Sequence, residues 1–380
     1  MLIVALAAGS IVEKLHGSDF ARSHVYGAWW FVALWGVFLV IAALLAFRNG
    51  KWKCPTAAIL FLSVACILLG GLLTMLRGQH GKMLLEPDKP QSHFFIKEQG
   101  KITKEALPFS LVLKRFELET YPNSSKPKDY VSHIFVHDGD TSKETAISMN
   151  NILKINGYRF IQSDYDEKGN SILAVTHDPW GIGVTYAGYA LLFIGLATML
   201  IRRKSVRAVT VSWLSVLVVL TVTLHIRMLV RPLMPVLRSP LFSLHIATIV
   251  TAYALLAGIV VVGAVAVVKR LAKPSDSVSL GRLKAVSMAM LHPAVALLAV
   301  GVGIGAVWAN ISWGNYWSWD PKEVWALITL LIYAMPLLPD LMQAFRKPMF
   351  FHVYGILAFL SVLITYFGVN LILGGIHAYN

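Results

Sequence analysis

Residues 241–268 read LFSLHIATIVTAYALLAGIVVVGAVAVV and contain no Asp, Glu, Lys or Arg. About twenty helical residues cross the ~30 Å hydrocarbon core of a bilayer, so this segment predicts a transmembrane helix. Residues 1–12 would cover only ~18 Å at 1.5 Å per residue, and we interpret them as the end of a first helix whose start is missing. Seven further apolar stretches predict spans, at 26–47, 55–76, 180–201, 208–226, 286–309, 324–343 and 349–372.

The composition excludes an ordinary soluble protein. Of the 380 residues, 56% are hydrophobic and 14% are charged, whereas soluble proteins carry roughly a quarter charged residues. The segment from Arg77 to Asp178 differs from the rest, because it holds 14 basic and 14 acidic residues. The net charge of +14 therefore lies in the membrane part, where it indicates topology rather than nucleic-acid binding. Cys54 and Cys66 lie too far apart in sequence to form a CxxC redox motif.

Basic residues alternate between the connections of the predicted spans. One set of connections holds Arg48, Lys51, Lys53, Arg202, Arg203, Lys204, Arg207, Lys269, Arg270, Lys273, Arg282, Lys284, Arg346 and Lys347. The short opposite connections hold only Lys14, Arg22, Arg227, Arg231, Arg238 and Lys322. The positive-inside rule places the first set in the cytoplasm. Residues 77–179, the loop near Trp313 and the C-terminus are then expected outside, on the periplasmic side.

Residues 77–179 are predicted to be rich in β-strands, because alternating stretches such as 109–113 and 134–137 are separated by turn signals. The expected fold is an all-α polytopic membrane protein with about eight full transmembrane helices, a short or truncated N-terminal helix and a small β-rich extracytoplasmic insert. The expected domains are transmembrane helices at 1–76, the β-rich insert at 77–179, junction helices at 180–226 and a second membrane domain at 227–380.

The densest chemical signal is WANISWGNYWSWDPKEVW at residues 308–325, which contains five of the eleven tryptophans. One interpretation is an aromatic belt that anchors a helix end at the membrane surface. A belt needs only one or two rings at each helix end, and it has no use for Gly314, Asp320 and Pro321 between the rings. The pattern therefore favours an aromatic platform for a flat hydrophobic ligand.

Two histidines flank this segment at the predicted outer surface. His245 lies one turn into the helix entered through Ser239 and Pro240, and His377 follows Gly374 and Gly375. Ionisable groups within or beside a span are costly and are therefore candidates for function, although a membrane histidine can also be a hydrogen-bonded interior residue. The histidines of the insert are interpreted as surface residues, and three others are unassigned: His225, His292 and His352.

The motif W-G-N-Y-W-S-W-D-P-K-E-V-W at 313–325 resembles the tryptophan-rich WWD signature of haem-handling proteins in cytochrome c maturation. The tail Y-F-G-V-N at 366–370, followed by G-I-H-A-Y at 375–379, resembles the end of the CcsA branch. The start of the chain, with G-S-I-V-E at 9–13 and A-W-W at 28–30, resembles the partner CcsB, as does the insert. The chain as a whole is similar to a compact CcsBA fusion, the system II cytochrome c synthase.

This resemblance implies a haem lyase of the bacterial inner membrane. His245 and His377 would be the axial ligands of haem b iron and so the catalytic pair. The expected platform residues are Trp313, Trp317, Trp319, Asp320 and Trp325. Arg227, Arg231 and Arg238 would bind the haem propionates, and lipid headgroups are an equally good interpretation of these arginines.

The implied reaction adds the thiols of an apocytochrome c CxxCH segment across the vinyls of reduced haem. The expected partners are the apocytochrome, a separate thiol reductant and membrane lipid, without nucleic acid. A haem exporter or chaperone that presents haem without attaching it is the first alternative. A membrane electron-transfer subunit is the second.

One departure from the family concerns a second histidine pair that ligates haem within the membrane. Aligned on Leu69–Thr74 and Trp325–Thr329, the two positions are Phe61 and Leu338 here. We therefore expect one bis-histidine haem site, the outer one.

Overall fold

The computed structural model describes residues 1–98, 101–230, 233–273, 276–338 and 342–373. Ten α-helices lie within these residues: α1 Leu2–His16, α2 Ser18–Ala21, α3 Trp29–Arg48, α4 Pro55–Arg77, α5 Gly181–Arg202, α6 Lys204–Val230, α7 Pro240–Ala272, α8 Ser277–Trp313, α9 Pro321–Ala334 and α10 Pro348–Leu363. The last helix continues in π-helical geometry over Ile364–Leu373.

Seven of the helices in the described part of the chain are long and apolar enough to cross a membrane: α3, α4, α5, α6, α7, α8 and the continuous helix Pro348–Leu373. Large apolar side chains cover the outward faces of α3 and α6, where Val40, Leu44, Val218 and Val219 are more than half exposed. Such surfaces suit lipid rather than water. The chain is therefore a multi-pass membrane protein.

The predicted span at 324–343 is wrong. Helix α9 has 14 residues and ends at Ala334, so it rises only ~21 Å at 1.5 Å per residue. A 3-10 turn, Met335–Leu337, follows it and contains Pro336. Proline lacks the N–H that an α-helix needs at this point, which ends the helix.

The prediction of an all-α fold with a small β insert is also wrong. Eight strands form one antiparallel sheet in the order β5-β4-β3-β2-β1-β8-β7-β6. The longest strand has 20 residues. The strands are β1 Gln79–Leu85, β2 Pro90–Glu98, β3 Lys101–Thr120, β4 Pro127–Asp138, β5 Thr141–Ile147, β6 Leu153–Ile155, β7 Tyr158–Tyr165 and β8 Ser171–His177.

The sheet curls until its two ends approach each other. The Ser132 hydroxyl on β4 donates to Gln162 Oε1 on β7 at 2.7 Å, although these strands are far apart in the strand order. The inner face encloses its own hydrophobic core, which includes Met83, Phe94 and Phe160. The insert is thus a nearly closed barrel with an independent core, and the protein combines an α-helical membrane part with a substantial β domain.

Helices α7 and α8 form the centre of the membrane part and pack against α10. Leu255, Leu256 and Leu298 are fully buried between them. Helix α8 has 37 residues, which is longer than a bilayer requires. Its last turns therefore reach the β domain, where Trp313 lines a cleft against the sheet.

Candidate functional site

The tryptophan segment, residues 308–325, links the end of α8 to the start of α9. Gly314 has φ +79° and ends α8, and its N–H donates to the Asn310 carbonyl at 3.2 Å. Added at Gly314, a Cβ would lie 2.6 Å from Thr176 Oγ1 and 2.8 Å from Ile161 Cδ1. Only glycine fits here, because both the left-handed backbone and the approach to the β domain exclude a side chain.

Asp320 begins helix α9 as its N-cap. Its carboxylate accepts the Lys322 N–H at 3.0 Å, and the Glu323 carboxylate accepts the Asp320 N–H in return. This reciprocal pair is a capping box, and Asp320 is only 2% exposed. The structure therefore shows a structural role for Asp320 beside its expected place in the platform.

Replacing Asp320 with alanine is expected to lower the free energy of unfolding by about 1 kcal/mol, because the N-cap acceptor is lost. Urea unfolding of the purified protein in mild detergent measures the change. Asp320→Asn is the matched control, since asparagine caps helices about as well as aspartate. Equal stability of the alanine and asparagine variants would contradict the capping role.

The five tryptophans are divided among three hydrophobic clusters. Trp308 and Trp313 contact each other with ring centroids 4.8 Å apart and pack with Val236 and Leu237. Trp317 packs with Tyr189 and Tyr316 in a second cluster. Trp319 and Trp325 belong to the third, which is built mainly by the first residues of the chain. The segment is thus fixed at three places.

Two aromatic rings, those of Tyr26 and Phe31, hold Trp319 in place. Its ring stacks on Tyr26 at 4.6 Å and 7°, and Phe31 meets it edge-on at 5.2 Å. Trp319 has φ +62°, which is unfavourable for a bulky side chain. Trp325 lies nearby and donates its indole N–H to Ser10 Oγ at 3.1 Å. The amino-terminal helices therefore hold this half of the segment in place.

His245 lies near the β-domain end of α7, next to α8. Its Nδ1 is 2.8 Å from the Gly301 carbonyl oxygen. A carbonyl only accepts, so Nδ1 carries the proton, and in the neutral ring Nε2 then carries the lone pair. At Gly305, an added Cβ would lie 2.7 Å from the ring. One turn nearer the β domain, Phe242 contacts Trp308 with ring centroids 4.6 Å apart.

The predicted arginines have different surroundings. Arg227 is exposed in the last turn of α6. Arg238 is the last residue of the Pro235–Arg238 turn, and its guanidinium lies 5.5 Å from the centre of the Tyr121 ring. Arg238 Nε is buried and has no hydrogen-bond acceptor among the described residues. Arg231 and His377 lie outside the described residues.

The two aligned intramembrane positions and the three unassigned histidines have contacts of their own. Phe61 packs edge-on against Trp52 at 4.9 Å, and Leu338 is 51% exposed. His292 lies 2.5 Å from the Arg203 guanidinium, and its Nδ1 donates to the Met288 carbonyl. His352 is fully buried on α10. His225 Nδ1 is 3.2 Å from Ser243 Oγ.

Asn310 joins the tryptophan segment to the rest of the protein and was not identified from the sequence. Its side chain is fully buried. Its carbonyl oxygen accepts from the Tyr186 hydroxyl at 2.9 Å and from the Arg159 guanidinium of β7. Its amide donates to the Gly314 carbonyl at 3.2 Å. The only sign of this role in the sequence was that Asn310 is a polar residue within the apolar end of α8.

A second polar link connects the segment to the last turn of α4 and to Asp178, the residue after β8. The Thr74 hydroxyl donates to the Asp178 carboxylate at 2.5 Å, so the Tyr316 hydroxyl, 2.6 Å away, is the donor towards Thr74. Burial raises the pKa of Tyr316, which keeps its proton on the phenol. The β domain and the tryptophan segment therefore form one connected unit.

Comparison with known proteins identifies two regions. Residues 182–377, just over half of the chain, match the family described as cytochrome C assembly protein, and residues 49–172 match the ResB-like family. The resemblance to cytochrome c maturation proteins is thereby confirmed at the level of the family.

Several curated proteins are similar over part of their length. Protein NrfI of Wolinella succinogenes is 35% identical over 160 residues, which cover 41% of this chain and 18% of NrfI. The cytochrome c biogenesis protein CcsA of Chlamydomonas reinhardtii is 36% identical over 159 residues, 39% of this chain and 43% of CcsA. CcsA of Synechococcus sp. (strain CC9902) is 35% identical over 179 residues and is matched over 58% of its length. The cytochrome C assembly match covers more than half of this chain. The chain therefore belongs to the cytochrome c assembly protein family.

Proposed function

We propose that this protein is a cytochrome c synthase, which holds reduced haem as its substrate at the β-domain end of the helices and promotes its attachment to the CxxCH segment of apocytochrome c. The proposed site uses His245 and His377 as iron ligands, Trp313, Trp317, Trp319 and Trp325 as its aromatic wall, and Asp320 as the cap that fixes the segment carrying them. The proposed location is the bacterial inner membrane, with the β domain on the periplasmic side. The boundaries at 76, 179 and 226 remain our proposed division of the chain into domains.

The hydrogen bond from His245 to Gly301 is the observation that carries this proposal. Metal-ligating histidines usually donate their second ring N–H to a carbonyl or carboxylate, which fixes both the tautomer and the ring orientation. The bond at 2.8 Å presents Nε2 with its lone pair, the form that haem iron binds.

Arg238 supports an anionic ligand at the same end. Its Nε is buried and lacks an acceptor among the described residues, and a buried donor left unpaired costs free energy. Arginine binds carboxylates with charge-assisted hydrogen bonds. Arg238 precedes α7, the helix that carries His245, so a haem propionate is a suitable acceptor. We propose the same role for Arg227 and Arg231.

The proposed reaction needs no nucleophile from the protein. Each thiol adds across one vinyl group, so that a carbon–sulfur bond forms and the proton goes to the other vinyl carbon. Electrons are conserved, and no group leaves. The protein would hold the porphyrin and the CxxCH segment in register, and such positioning supplies a large part of a rate enhancement. The incoming histidine of CxxCH would replace one of the two protein ligands. A separate thiol reductant would keep the substrate cysteines reduced.

Co-expression with a CxxCH reporter tests this function. A haem stain after denaturing electrophoresis is expected to show haem on the reporter, because thioethers survive denaturation. The same reporter with both cysteines replaced by serine is the control. Haem that stays on the membrane protein and never becomes covalent would contradict the synthase and would support a haem carrier.

A further inference from the structure

A cleft of about 600 Å³ lies between the outer face of the sheet and the end of α8. One wall is formed by Ser312, Trp313 and Asn315 of the tryptophan segment. The opposite wall is the side of the sheet that faces away from its hydrophobic core. The cleft is of the size that binds drug-sized ligands or a few residues of a peptide.

Strand register shows which side chains share this outer face. Met83 on β1 and Phe94 on β2 point into the core, so Lys82 and Phe95, which pair across the two strands, point outward. The same row continues to Lys104 on β3 and, in the other direction, to Ala174 on β8. It ends at Ile161 on β7, which Gly314 covers.

The next row of outward-pointing side chains also mixes apolar and basic residues. Lys97 pairs with Ile102, and His80 pairs with Thr176. Phe95 and Ile102 are 41% and 69% exposed beside the cleft. Apolar side chains and ammonium groups thus alternate across strands β1 to β3 of this face.

The charged side chains that line the cleft, Lys82 and Lys97, are of one sign, although the β domain as a whole is balanced. Lys82, Lys97 and Lys104 have no ion-pair partner in the part of the chain that the structure describes, whereas Lys89, Lys114 and Lys128 pair with glutamates elsewhere on the domain. A patch of one charge attracts a partner of the opposite charge and steers its approach.

We propose that this cleft docks a segment of the polypeptide substrate that carries carboxylate side chains next to an apolar side chain. The proposal rests on the proposed function, since a polypeptide must reach the tryptophan segment that the cleft borders. The lysines would contact the carboxylates, and Phe95, Ile102 and Trp313 would contact the apolar side chain. The cleft is not at an edge strand of the sheet, so the segment is held by side chains rather than added as a further strand.

A binding measurement on the full chain in detergent tests this dock. The probe is a fluorescent reporter polypeptide whose CxxCH cysteines are serines, so that it binds without reacting. One version has acidic residues flanking this motif, and the second has glutamines at the same positions. We expect the acidic version to bind about tenfold more tightly, because each carboxylate can form an exposed charge pair with a lysine of the cleft.

The variant Lys82→Glu Lys97→Glu is expected to lose this preference, so that both reporters bind within about twofold of each other. Lys143→Glu Lys168→Glu is the matched control, because both lysines are exposed on other parts of the β domain and the net charge changes equally. Equal affinities for the two reporters in the unmodified protein would overturn the dock, and so would an equal loss of preference in the control.

Two outcomes separate the dock from the proposed function. Normal haem attachment by the unmodified protein, with no preference between the reporters, would reject the dock and leave the synthase in place. Selective binding that the Lys82→Glu Lys97→Glu variant loses, without any covalent haem, would support the dock and reject the synthase.

Phosphatidylglycerol vesicles are a further probe. If they alone showed the lysine-dependent binding, the ligand would be a lipid headgroup and the proposal would be wrong.

Discussion

Replacing His245 with alanine is expected to abolish haem attachment to the CxxCH reporter, with a loss of at least about 100-fold, because the iron loses one axial ligand. His377→Ala is expected to have the same effect, because residues 366–379 resemble the end of the CcsA branch. The readout is covalent haem on the reporter, normalised to the amount of membrane protein. Added imidazole is expected to restore part of the activity by filling the vacant coordination position.

His133→Ala is the control for these two variants, because His133 lies in the β domain beside Glu117. This variant is expected to leave haem attachment unchanged. Haem content measured as the pyridine haemochrome is expected to be about one per chain and to fall in the His245→Ala His377→Ala variant. If that double variant kept low-spin, bis-histidine haem, the single outer site would be wrong, and a second pair of ligands would have to exist elsewhere.

Gly305→Ala is expected to lower haem retention by about tenfold to 100-fold without removing any ligand. The added methyl carbon would lie 2.7 Å from His245 Nδ1 and Cε1. The ring must therefore move, and its hydrogen bond to Gly301 is strained or lost. Loss of a hydrogen bond that orients a metal ligand typically costs this much in metal affinity. Haem titration of the purified protein, followed by the Soret absorbance, measures the change.

Gly281→Ala on the same helix is the matched control, since nothing lies within 4 Å of an added Cβ there. Alanine has a higher helix propensity than glycine, so neither substitution is expected to weaken helix α8 itself. Unchanged haem affinity in Gly305→Ala, together with normal expression, would show that the orientation of His245 does not matter for binding. A loss in both variants would point to an effect on the helix as a whole.

Much of the membrane part was predictable because a long apolar run has few alternatives in a bilayer. The helix over 241–268 is present as α7, and it begins at Pro240 as the Ser239-Pro240 dipeptide indicates. The error at 324–343 arose because hydropathy alone was weighed. Pro336 lies inside that stretch and ends α9 after 14 residues.

The candidate site was less accessible from the sequence, because it depends on which helices and strands meet. The cluster of tryptophans was visible, but their division among three hydrophobic clusters depends on Tyr26 and on the turn before α7, which are distant in sequence. The partner of His245 is a backbone carbonyl on α8. No side-chain pattern marks such a partner, although the glycines at 301, 303 and 305 were a sign of close helix packing.

The β domain was underestimated for a related reason. Its alternating strands were recognised, but short alternation does not show how many strands join one sheet. The 20-residue strand β3 pairs with both β2 and β4, and the core forms only when the first and last strands, β1 and β8, also pair. These contacts are remote in sequence, so local patterns do not contain them.

The pairing of β1 with β8 has a consequence for how the chain assembles. β1 follows α4 and β8 precedes α5, and Gln79 pairs with His177. Closing a flexible loop of about 100 residues costs roughly 4 kcal/mol in chain entropy. Once the insert has folded, this chain entropy has already been lost, and the ends of α4 and α5 lie side by side. The β domain would thereby act as an intramolecular template for its own helix hairpin, and we expect the insert to fold before these two helices join within the bilayer.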